Sequence, residues 1–103
     1  MDYQLVIKFW RKSLPEDNAV ALAQHDLQQA LGDSATLDGY DTNAREINLF
    51  VVTADPKHSF RRLKAVLESR GMLPGMSAAY RLVGGAQFMS LWPLRATRKF
   101  KLP

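Results

Sequence analysis

Few side chains in this 103-residue chain carry chemistry of their own, and their types and spacing limit what that chemistry would be. There are two histidines, His25 and His58, and no cysteine. A histidine pair without further ligands makes a poor metal site, because a structural zinc shell closes with four donors. Without cysteine there is no disulfide, thiolate nucleophile or cysteine-held metal, which agrees with a reducing compartment. Asp38 and Asp41 are close in sequence, as paired acid–base carboxylates would be, but they flank Gly39-Tyr40. An exposed turn is the simpler source of such acids. Asp17 and Asp26 read as solvated helix residues. No HExxH, GxSxG or phosphate-cradling glycine loop occurs. The chain predicts no catalytic group, no metal and no cofactor.

Cations are the other group able to act. Arg61 and Arg62 fall in a helical pattern after Asp55-Pro56, and Arg95, Arg98, Lys99 and Lys101 crowd the last nine positions. Each is able to contact a phosphate, adding salt-dependent affinity that is blind to sequence. Charge is also unevenly spread. Ser13 to Ala44 holds six acids and no Lys or Arg, a charge of −6, while the remainder holds all 14 basic residues and the other four acids, a charge of +10. Either a charged partner meets one of these segments, or the two lie side by side and neutralise each other.

Composition sets the frame for positioning these groups. Hydrophobic residues make up 47% and charged residues 23%, ordinary for a globular chain. MDYQLVIKFW lacks the basic start and small-residue cleavage site of a signal peptide. No stretch approaches the roughly 20 apolar residues of a membrane helix. The expectation is a soluble, cytoplasmic protein, with residues 1–94 as one domain and residues 95–103 as a basic tail carrying one anchor, Phe100.

Tyr3 to Trp10 reads as a strand, with Tyr3, Leu5, Ile7 and Phe9 on one face and Val6 and Trp10 on the other. Ser13-Leu14-Pro15-Glu16 then reads as a helix start with a capping box. The helix carries Val20, Ala23, Leu27, Ala30 and Leu31 as its apolar stripe and stops at Gly32. Ala35 to Thr42 is a weaker strand whose Asp38 and Gly39 suit a sheet edge. Arg45 to Thr53 is a strong strand. Asp55 caps a second helix, with Pro56 in its first turn and Phe60, Leu63, Val66 and Leu67 facing the core. Ser77 to Val83 and Gln87 to Trp92 are strand candidates around the turn Gly84-Gly85.

This order resembles the βαββαβ unit of the ferredoxin-like fold, an α+β sandwich with antiparallel strands and two helices on one face, here with an additional C-terminal strand forming a hairpin. In that topology the first and third strands are central, and they are the two most apolar here. The RNA-recognition motif shares the order and stacks bases on aromatics of its third strand. The matching stretch here is Arg45-Glu46-Ile47-Asn48-Leu49, so the resemblance stops at topology. The acylphosphatase family is similar in size and order, but its glycine-rich first loop is replaced by Arg11-Lys12-Ser13-Leu14-Pro15. Small sheet-dimer oxygenases resemble it in architecture without matching site residues.

Helices on one sheet face leave the other open. That face is expected to carry Val6, Trp10, Phe50 and Val52, joined by Phe88 and Trp92, with Lys8 and Arg45 at a polar rim. A large apolar patch is rarely left bare. The final hairpin or the Phe100 tail covers it, a second copy packs on it, or another protein docks with Trp and Phe as anchors. The sequence favours a non-catalytic protein-interaction domain, either an immunity or antitoxin-type inhibitor or a sheet-face homodimer, with no membrane role. The alternative is electrostatic nucleic-acid binding through the second helix and the tail.

Overall fold

A computed structural model of the chain describes residues 2–94 and 99–102. Its first strand, β1 (Tyr3–Trp10), shows the alternation that organises the rest: Leu5, Ile7 and Phe9 are at most 1% exposed and face the helices. β2 (Ala35–Thr42), β3 (Glu46–Thr53), β4 (Met76–Leu82) and β5 (Met89–Trp92) complete an open, fully antiparallel sheet in the order β2-β3-β1-β4-β5. The two most apolar strands therefore occupy interior positions, where both edges are paired. The helices α1 (Ala19–Leu31) and α2 (Pro56–Ser69) bury their stripes in one cluster with the odd-numbered residues of β1 and β3. The architecture is α+β, with two helices and a five-stranded antiparallel sheet among the described residues.

α2 starts as its sequence predicts. Pro56 takes the first turn, and the Asp55 carboxylate accepts from the His58 backbone N–H at 3.1 Å. α1 does not. Its helix begins at Ala19, not after Ser13, and Asn18 stands at the cap without a side-chain bond. Leu14 precedes a proline and is extended, with ψ at 145°, as the clash with the proline ring requires. Ser13 belongs instead to a short 3-10 turn, Arg11–Ser13, packed against the loop before β4. There a Cβ on Gly75 would come within 2.6 Å of the Ser13 Oγ, so only glycine fits without displacing it.

At the far end of α1, Gly32 has φ of 59° and its N–H returns to the Gln28 and Gln29 carbonyls. The Gln28 side chain then ties helix to strand. It donates to the Ala35 carbonyl at 3.2 Å and accepts from the Leu37 N–H at 2.9 Å, fixing the start of β2 on α1. Beyond Leu37 the β2–β3 register shifts, around Asp38 and Gly39. Irregularity and charge of this kind blunt an exposed edge strand. The helices meet through the ion pair between Arg70 and Asp26, and Arg70 holds the Asp26 carboxyl below its usual range by hydrogen bond and charge. No helix among the described residues is long and apolar enough to cross a membrane.

Candidate functional site

The sheet face away from the helices is built from the even-numbered residues of β1 and β3 and the odd-numbered residues of β4. Cross-strand register sets them in rows: Phe50, Val6 and Ala79; then Asn48, Lys8 and Ser77; then Glu46 beside Trp10. Chain polarity thus places a polar row between an apolar row and an exposed indole.

The polar row is the part that sequence reasoning missed. Lys8, expected at an outer rim, has a side chain only 13% exposed, and its Nζ lies 3.5 Å from the Glu46 carboxylate, itself 9% exposed. The Lys8 ammonium also donates to the Lys101 backbone carbonyl and sits 4.9 Å from the Phe100 ring centroid. Beside it the Asn48 side chain is buried, with its Oδ1 lacking a hydrogen-bond partner among the described residues. Taking an ammonium and a carboxylate out of water is unfavourable unless each answers the other, so the pair holds itself in place. The signal is in the sequence: Glu46 and Asn48 are polar positions in the first half of a mostly apolar strand, with the spacing that puts both on one face.

The apolar candidates divide. Trp10 is 48% exposed, and Phe50 and Val52 are half-buried. Val6 is completely buried although it points away from the helices, as does Ala79 opposite it. Two aromatic rings stand on this side of the sheet. Phe88 and Phe100 pack with centroids 5.0 Å apart, Phe100 against Lys8 and Phe88 under the Arg81 guanidinium. Lys8 and Arg81 flank the Val6–Ala79 pair, so the rings span the stretch of face that this pair occupies. Val6 is therefore closed to a partner in this conformation.

Trp92 lies on the other face, contrary to the expectation from its shared parity with Phe88. The β4–β5 register places Ser90 opposite Ala79 but Trp92 opposite Ala78, leaving Leu91 as an extra residue. That bulge turns the indole toward the helices, where it stands 6.4 Å from Phe60 with the Lys64 ammonium 4.3 Å over its ring.

Among the cations, Arg61 and Arg62 are exposed on α2. The ion pairs among the described residues are Lys8–Glu46 and Arg70–Asp26, so neutralisation between the helices rests on Arg70 and leaves Arg61 and Arg62 unpaired there. Lys99 and Lys101 are exposed, and Arg95 and Arg98 lie outside the described residues. No three of the His, Cys, Asp and Glu side chains among the described residues gather where they would hold a metal ion. Comparisons with protein-family models, with curated proteins and with solved structures find no match to this chain.

Proposed function

We propose that the chain is a non-catalytic protein-binding domain that engages its partner through the outer sheet face, with Trp10 as anchor and Phe50 and Val52 as the apolar surface beyond the polar row. The observation carrying this reading is Trp10. A tryptophan left 48% exposed at the end of an interior strand is a large rigid apolar surface, the kind that dominates binding energy when an interface buries it. Phe88 contributes as one of the two rings on that side, and Trp92 has no part in this surface. Either an inhibitor of the immunity or antitoxin type or a sheet-face homodimer fits this description. We read the scaffold as ferredoxin-like with an added edge strand, on the support of the β2-β3-β1-β4 order and the helices sharing one face.

The test compares the wild type with Trp10→Ala. Light scattering over a dilution series reads self-association, and affinity capture with both baits reads a second protein. Association that is salt-insensitive and lost in the variant, whose unfolding transition is retained, supports the reading. Identical behaviour of the two proteins in both assays would sink it.

One observation favours a second reading, electrostatic nucleic-acid binding: Arg61 and Arg62 are exposed and unpaired among the described residues. It predicts affinity that falls steeply with salt, and a uniform loss across sequences when both arginines become alanine.

A further inference from the structure

The β4–β5 ladder ends where Tyr80 faces Met89. From there the strands part, and the connecting chain turns through Gly84, whose φ is 83°. An open cleft of about 1060 Å³ lies in the gap, just above the usual range for small-molecule sites. It is at the opposite end of β1 from Trp10, with Tyr3 in its wall.

Its lining is specialised in two respects. The first is aromatic: Tyr3 and Tyr80, on the helix side of the sheet, meet edge to face with centroids 5.7 Å apart, while Phe88 and Phe100 form a second pair on the outer side beside Arg81. Neither phenol hydroxyl hydrogen-bonds to another described residue. The second is charge: Arg81 and Lys99 line the cleft, and no Asp or Glu does. Arg81 is held in position. Its Nε donates to the Gln4 Oε1 at 2.9 Å, and its guanidinium lies 4.5 Å from the Phe88 centroid. The terminal guanidinium nitrogens donate to no other described residue, so an oriented fork remains to be filled.

These features select a ligand by elimination. A cation meets the positive charge of Arg81 and Lys99. A neutral apolar molecule leaves both cations without an answering group, and a bare inorganic anion makes no use of the Phe88 and Phe100 rings beside Arg81. A planar ring stacks against aromatic walls, and a phosphate or carboxylate accepts from a guanidinium fork. We propose that this cleft binds small organic anions in which a flat aromatic or heteroaromatic ring carries a phosphate or carboxylate.

The full chain is titrated with adenosine monophosphate, salicylate, adenosine and inorganic phosphate, with backbone amide NMR shifts as readout. At least one of the two ring-bearing anions binds about tenfold or more tighter than adenosine or inorganic phosphate, a difference of about 1.4 kcal/mol. The amides of Tyr80, Arg81 and Phe88 move. The order of adenosine monophosphate and salicylate sorts phosphate from carboxylate, and either order supports the site. Lys99→Glu, at an exposed position, weakens the preferred anion several-fold, and Arg81→Gln weakens it further. Equal binding of all four probes, no binding up to about 10 mM, shifts confined elsewhere, or unchanged affinity in Lys99→Glu would each overturn the proposal.

Discussion

The two faces of the sheet are built from the same strands by opposite rules. Toward the helices, Leu5, Ile7, Phe9, Leu49 and Val51 meet Leu27, Leu31, Leu63 and Leu67 in an apolar layer with almost no exposure. Away from them, the alternate residues of those strands hold an ion pair, an amide oxygen unpartnered among the described residues and an exposed indole, with the Phe88 and Phe100 rings on the same side. The first face maximises apolar burial, the dominant favourable contribution to folding. The second buries charge and leaves apolar surface bare, both of which cost stability. A chain of this size buries a limited core, so the second face stands out as the place where stability has been given up.

The comparison breaks first where burial is densest. Leu27→Ala should destabilise by about 2–5 kcal/mol, read as a lowered denaturant midpoint with unchanged slope. A loss well under 1 kcal/mol would mean that the helix-facing layer is looser than its burial implies. Next is the polar row. Lys8→Met leaves the Glu46 carboxylate nearly buried without its cation, and should cost about 1–3 kcal/mol. Adding Glu46→Leu should recover most of that loss; a double variant as unstable as the single would show that the row contributes more than its internal pairing.

Phe100→Ala comes third. It removes one ring of the Phe88–Phe100 pair and should cost about 1 kcal/mol, with increased binding of an apolar fluorescent dye as Val6 is uncovered. Unchanged dye binding would mean that other groups cover Val6. The smallest effect belongs to Asp26. Its carboxyl is lowered from the ordinary 3.8, first by the hydrogen bond from Arg70 and then by that charge. A group lowered in the folded state adds stability above its unfolded value, and the contribution is lost as pH falls through the folded value. Asp26→Asn should therefore be slightly less stable than wild type near neutral pH and indistinguishable from it well below pH 3.8, in paired unfolding curves. The exposed setting keeps that difference small, because water and salt screen it.

How much of this was legible in the sequence depended on the range of the interaction. β1, β3 and α2 were read closely because their signals are local: period-two alternation, and an Asp-Pro start with a spaced apolar stripe. Ser13-Leu14-Pro15-Glu16 offers a capping box, but α1 starts at Ala19, because Leu14 before Pro15 is extended and Ser13 packs beside Gly75, sixty-odd residues away. Strand parity alone sets Trp92 on the outer face because it takes the ladder as unbroken. Lys8 reads as a rim residue because neither Phe100 nor the Lys101 carbonyl lies near it in sequence. The exposed Trp10 and half-buried Phe50 and Val52 lay where strand alternation put them.

The extra residue at Leu91 has an evolutionary consequence. Deleting Leu91 would restore unbroken alternation and leave the indole opposite Ala78 on the helix side, so the bulge lets a chain one residue longer keep the same core contact. A lineage could gain or lose one residue at this edge while keeping the indole in the core, and sequence comparison across such a step would score a gap between proteins that present the same face.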